Sequence, residues 1–229
     1  MSAPRRHSTS LQARLPLQRA PAFDRESLIV SPSNAAAVAA VEAWPHWPDG
    51  RLVLVGPPQA GKSHLAAIWA KTAGAQVVRA EETLKPAPGR AIVLEDADRR
   101  PRDETLFHLL NASGPGAALL MTARSAPRDW SCDLPDLRSR LNALWVVELS
   151  TPDDAVLNGL LTKFFLERNI RPEPDVIPYL LKRIERSAAA AFEIVAGIDE
   201  AADVEQRGIT RAFARDVLDR AEAGDDLFD

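Results

Sequence analysis

Cysteine is nearly missing from this chain: its 229 residues include one, Cys132. A lone thiol cannot form an intrachain disulfide framework, so the fold must rest on its core, and a reducing cytoplasm is the expected compartment. No base stands beside Cys132 in the sequence, and it reads as an ordinary small residue. Long apolar runs are missing too: none approaches the roughly 20 residues that cross a bilayer. The basic start "MSAPRRHSTS" is not followed by an apolar segment, so no secretory signal is expected. A cationic excess is also absent. Lys and Arg number 28 against 32 Asp and Glu, for a net charge of −4, which argues against DNA as the main direct partner.

What is present is a 46% hydrophobic chain, enough for a core domain plus a small helical one. Residues 1–22 lack a period, carry Pro, Ser, Arg and Gln, and read as a flexible arm. Four short apolar runs, "RLVLV" (51–55), "AIVL" (91–94), "ALLMT" (118–122) and "WVVEL" (145–149), predict buried strands, with "AQVV" (75–78) a weaker fifth. Helical patterns at 34–44, 62–73, 103–112 and 134–141 lie between them. Strand alternating with helix implies a parallel sheet with right-handed crossovers. After residue 150 the strand signal stops. "STPDD" offers an N-cap, an early proline and first-turn acids, and helical stretches are expected near 152–168, 173–185, 187–205 and 210–222. The expected organisation is thus an arm (1–22), an α/β domain (23–150), a helical subdomain (151–222) and a tail (223–229).

The chemistry concentrates in "GPPQAGKSH" (Gly56, Pro57, Pro58, Gln59, Ala60, Gly61, Lys62, Ser63, His64). It matches the phosphate-loop pattern in full and lies between a predicted strand and a predicted helix. Backbone N–H groups at the helix start would cradle phosphates, Lys62 would reach the terminal ones, and Ser63 would hold Mg²⁺. A second strand end, "AIVLEDADR", supplies Glu95 and Asp96, acids suited to the metal's surroundings. The longer Glu95 arm, where Asp is usual, puts hydrolytic competence in question. The cofactors expected are ADP or ATP with Mg²⁺.

Taken in order, "FDRESLIVSPSNAAAVAAV", "GKSHL", "LEDADR", "LLMTARSAP" and "LPDLRSRLNALWVVEL" resemble the AAA+ domain of the replication initiator DnaA, and more closely its short paralogues of the Hda family. The resemblance runs from about Phe23 to Leu218. It implies a P-loop AAA+ fold: a five-stranded parallel sheet flanked by helices, followed by a small all-helical lid. DnaA continues into a DNA-binding domain, whereas this sequence ends near the lid, so the paralogue is expected, with DNA met only indirectly.

The resemblance also implies roles. Gln12, Leu15, Pro16 and Leu17 in "LQARLPLQ" look like a peptide that docks on the DNA polymerase sliding clamp, with spaced apolar anchors and a glutamine in a surface pocket. "DDLF" (Asp225 to Phe228) is a weaker candidate of the same kind. Arg140 falls where the family carries an arginine finger, with Arg138 the runner-up. Two positions depart from the family pattern: Thr122 is kept, but Arg124 stands where Asp is usual, and Ala189 stands where a lid arginine is usual. Arg183 and Arg186 lie on a different turn. Weaker nucleotide binding, a preference for ADP or no turnover is therefore expected. The implied partners are DnaA and the sliding clamp, with no membrane, and a homodimer stays open. An autonomous ATPase of helicase-loader type and a clamp-bound adaptor are the alternatives.

Overall fold

The computed structural model describes residue 25 and residues 28–79, 89–99 and 103–223. Gln12, Leu15, Pro16, Leu17 and the "DDLF" tail lie outside these. Five strands form one parallel sheet in the order β2-β3-β4-β1-β5, with β1 at Arg51–Val55, β2 at Gln76–Arg79, β3 at Ile92–Glu95, β4 at Leu119–Ala123 and β5 at Val146–Glu148. Four helices accompany the sheet: α1 (Ala35–Glu42), α2 (Lys62–Ala73), α3 (Asp103–Ala112) and α4 (Pro135–Asn142). Four more follow it: α5 (Asp154–Glu167), α6 (Val176–Leu180), α7 (Ala188–Glu205) and α8 (Arg211–Ala223).

Alternation along each strand divides the core. Leu52, Leu54, Val93 and Leu120 face one layer, where they pack with Trp69 of α2 and Val38 and Val41 of α1. Val53, Val55, Leu94 and Met121 face the other, against Leu106, Leu109 and Leu110 of α3 and Leu137 and Leu141 of α4. Both faces are covered, so the central strands are apolar along most of their length, as a buried parallel sheet requires. Trp69 anchors its layer, its ring 4.8 Å from that of Trp47 and 6.2 Å from that of Trp44. Fully burying each such side chain stabilises by about 1.5–3 kcal/mol.

The last four helices enclose a separate core of Leu161, Phe165, Val176, Leu180, Val195, Ile198 and Phe213. Two local expectations are corrected. Pro152 does not sit in the first turn of α5; it precedes the N-cap, which is Asp153, whose carboxylate accepts the Val156 N–H at 3.0 Å. The stretch 173–185 does not form one long helix. α6 ends at Leu180 and irregular turns follow, because Ser187 must be extended for its hydroxyl to cap α7 at the Ala190 N–H, 3.0 Å away.

Candidate functional site

β1, β4 and β3 are neighbours, and Val55 pairs with Ala123 while Leu94 pairs with Met121. Their C-terminal ends therefore line up, and the loops leaving them share one edge of the sheet, the usual place for a ligand in an open α/β fold. The loop after β1 is the "GPPQAG" segment. Gly56 is there for space: a Cβ would collide with the Leu149 carbonyl oxygen. Gly61 is there for conformation. Its φ of 98° is left-handed, and nothing stands within 4 Å of where its Cβ would be. In that geometry Gly61 caps α2, so the first N–H groups of the helix open beside the loop. Pro57, Pro58 and Gln59 form an exposed rim, Gly56 and Ala60 are buried, and Ser63 is exposed on the first turn of α2.

Lys62 turns inward. Its Nζ donates to the carbonyl oxygens of Gly56 and Pro57, each at 2.7 Å, and its side chain is buried. An ammonium has three protons, so these two bonds leave one for a ligand. Burial lowers the Lys62 pKa from its usual 10.5, and the nearby Arg124 charge lowers it further, against the opposing pull of Asp96 and Asp98. This lysine is thus a partly desolvated cation at the mouth of a backbone N–H cradle, a combination suited to a phosphate.

The acids follow β3. Glu95 ends the strand, 4.0 Å from Arg79 across the β2–β3 pair. Asp96 leaves it with φ at 52°, and its N–H donates to Thr122 Oγ1 at 3.1 Å. Thr122 is buried, so it acts as a brace between two strand ends. Asp98, in the short 3₁₀ turn Ala97–Arg99, accepts the Arg124 N–H at 2.9 Å. Sequence reasoning passed over Asp98. Its only signal was the acid two places beyond Asp96, and that pattern is common in solvated turns. Among the described residues no group of three or more His, Cys, Asp or Glu gathers to hold a metal ion. A Mg²⁺ here would be held chiefly by phosphates, with Ser63, Glu95 and Asp96 as oxygen neighbours, which is how this ion is usually bound beside nucleotides.

The two arginines of "RSRL" differ sharply. Arg138 is engaged: its guanidinium donates to the carbonyls of Pro127 (3.2 Å), Arg128 (3.0 Å) and Trp130. Arg140 is exposed, lying 5.2 Å from the Phe107 ring centroid. It borders a surface cavity with Asp49, Arg51, Ala143 and Trp145. Those residues sit at the N-terminal ends of β1 and β5, whereas the phosphate loop leaves the C-terminal end of β1. A five-residue strand spans about 16 Å, so Arg140 lies at the opposite end of the sheet from its own loop.

Among the last four helices, Ala189 is exposed in the first turn of α7 and brings no charge. Arg183 lies 5.4 Å from the Tyr179 ring centroid, and Arg186 donates to the Pro152 carbonyl at 3.1 Å and pairs with Asp154. Both are engaged within the helical group and the segment that leads into it. That entry is also tied to the segment before α1: Ser33 N–H donates to Asp153 at 3.3 Å, and Ser150 N–H to the Ser33 carbonyl at 3.2 Å.

No protein-family model matches the chain. Among solved structures, it is similar to domain III of the replication initiation protein DnaA from Thermotoga maritima, with TM-score 0.73 and 16% identity over 87% of this chain and 97% of that one. It is similar to a Thermotoga maritima RuvB variant, with TM-score 0.65 and 16% identity over 82% and 68%. It is also similar to AMPPCP-bound DnaA from Aquifex aeolicus, with TM-score 0.61 and 17% identity over 90% and 70%. The fold, a five-stranded parallel sheet with flanking helices, is the one these structures share. Among the described residues no helix is long and apolar enough to cross a membrane.

Proposed function

We propose that this chain is a nucleotide-binding regulator of replication initiation of the Hda type. Tethered to the DNA-loaded sliding clamp, it stimulates hydrolysis of DnaA-bound ATP by supplying Arg140 in trans. The observation that carries this reading is the contrast within "RSRL". Arg138 is held by three backbone carbonyls, while Arg140 is exposed at the end of the sheet remote from its own phosphate loop. A cation so placed is useful to a neighbouring molecule and not to its own nucleotide. As water attacks the γ-phosphorus and the bond to ADP breaks, the guanidinium would steady charge on the transferring group, an effect of roughly 10³–10⁵ in rate. Its planar fork suits that task better than an ammonium.

The chain's own pocket then has a structural task. ADP or ATP with Mg²⁺ would bind at Gly56 to Ser63, beside Glu95, Asp96 and Thr122, and set the shape of the protein. AMPPCP bound to DnaA of the same fold supports nucleotide as the ligand class. The clamp contact falls to Gln12, Leu15, Pro16 and Leu17, and tethering raises the effective concentration of a weak direct contact with DnaA. Deleting residues 1–20 should abolish clamp capture and leave the thermal transition in place; capture that persists sinks the tether.

A second reading has one observation in its favour: Glu95 and Asp96 stand at the end of β3, on the same edge of the sheet as the phosphate loop with β4 between, where a self-sufficient ATPase needs acids. ATP turnover by the isolated protein separates the two. Turnover below roughly 10⁻² s⁻¹, the range of slow GTPases with an arginine in place, supports the regulator. Fast turnover that is lost in Lys62→Ala supports the ATPase.

A further inference from the structure

We propose that a cavity at the N-terminal strand ends, beside Trp44, is a docking site for this chain's own segment 225–229, "DDLFD", with Phe228 as the anchor. The cavity lies away from the phosphate loop and shares no residue with the one that Arg140 borders, so the inference stands or falls apart from the proposed function.

Four connections meet there: α1 to β1, α2 to β2, the lead into β3, and α3 to β4. Trp44, Pro45 and Pro115 give it apolar walls. Five of the chain's 11 glycines, at 50, 74, 89, 114 and 116, line it. Gly50 lies flush on Gly114, where a Cβ would come within 2.6 Å of the Gly114 carbonyl. Over Gly74, Gly89, Gly114 and Gly116 a Cβ would meet nothing within 4 Å. The floor is therefore bare backbone with open space above it. Trp44 is held in place by its edge-on contact with Trp69, which in turn packs on Trp47. Among the described lining residues Arg90 alone is charged. It is exposed and has no hydrogen-bond or ion-pair partner among the described residues.

The size and chemistry of the cavity select the occupant. Its volume is about 210 Å³, below the roughly 300–1,000 Å³ of pockets that enclose a whole small ligand. It suits one aromatic side chain laid against Trp44, with the adjoining backbone on the glycine floor. Arg90 calls for a carboxylate beside that ring. The sequence holds this combination at its acidic tail, where Phe228 has Asp225, Asp226 and Asp229 within three residues. Phe107, Phe164, Phe165, Phe192 and Phe213 are already packed into or against the cores. Phe23 has a single acid, Asp24, before the cation Arg25. Carried on the end of α8, the tail meets the cavity at the effective concentration of a tethered ligand.

The test is fluorescence anisotropy of a labelled synthetic peptide with the sequence of residues 223–229. It is titrated with the full chain as wild type, as Phe228→Ala, and as Phe228→Ala combined with Arg90→Gln or with Ala73→Leu. Removing the resident anchor opens the cavity, so the peptide should bind Phe228→Ala about tenfold or more tighter than wild type. Adding Arg90→Gln should weaken it by about 10- to 100-fold, the range of a charged hydrogen-bonded contact, and flatten its salt dependence. Adding Ala73→Leu, which puts a larger side chain into the cavity, should abolish it. Arg90 is exposed, so Arg90→Gln keeps the test decisive if Ala73→Leu folds poorly. No binding to Phe228→Ala, or equal binding to it and wild type, overturns the inference. So does binding indifferent to Arg90→Gln. Equal binding of a scrambled peptide of the same composition also overturns it, because the cavity would then accept a segment of another partner as readily as this one.

Discussion

Arg138 and Arg140 lie two residues apart and do opposite work. Arg138 satisfies three carbonyls of the turn before α4, so its loss leaves those groups to find water in a half-buried place. Arg138→Ala should lower stability by about 1–3 kcal/mol, read as a fall in the thermal midpoint. Arg140 contributes an exposed contact with Phe107, and Arg140→Ala should stay within about 1 kcal/mol of wild type. Equal losses in the two variants would contradict this assignment. Lys62 follows the same logic through its pKa. Because the folded value lies below 10.5, the charged form is penalised at neutral pH, and that penalty is relieved as pH rises through the folded pKa toward 10.5. Lys62→Met should therefore keep the nucleotide-free protein folded and remove the stabilisation that ADP confers. A Met variant still stabilised by ADP would displace Lys62 from the site.

At the scale of elements, the segment that leads from the sheet into α5 is the sensitive joint. Asp153 caps α5 and accepts the Ser33 N–H, joining α5 to the segment before α1. These bonds favour the carboxylate and hold its pKa below 3.8, the Val156 N–H contributing most. A depressed carboxyl pKa stabilises above the unfolded value and loses that contribution as pH falls through the folded one. Asp153→Ala should cost about 0.5–2 kcal/mol at neutral pH and less below pH 3.8, measured by denaturant melts at both values. An equal cost at both would remove the carboxylate from the account. The strands and most helices were legible in the sequence because buried runs and helical periods are local signals. Pro152 and the shortened α6 were not, because the position of a cap depends on where Ser33 and Ser187 must lie in three dimensions. The placement of Gly56 to Ser63 between a strand and a helix was legible from spacing alone. Two residues' spacing on a helix already points Arg138 away from Arg140, but Asp98 and the carbonyls that hold Arg138 depend on which turns and strand ends come together, and no spacing rule encodes that.

At the scale of the whole molecule, the proposed function assigns different tasks to the two ends of one sheet. The C-terminal strand ends present the phosphate loop and Lys62; the opposite end presents Arg140. Nucleotide bound only by the folded state should stabilise it by about 2.7 kcal/mol at a concentration 100 times Kd. For a protein of this size each kcal/mol shifts the thermal midpoint by about 2–4 °C. A midpoint unmoved by ADP and ATP would remove the pocket from the account. The division of labour between the two ends is tested most directly by single-turnover hydrolysis of ATP pre-bound to DnaA, with DNA-loaded clamp present, comparing wild type, Arg140→Ala and Arg138→Lys. The account predicts strong stimulation by wild type, loss of about 10³-fold or more of that stimulation in Arg140→Ala, and retention in folded Arg138→Lys. Full stimulation by Arg140→Ala would contradict it.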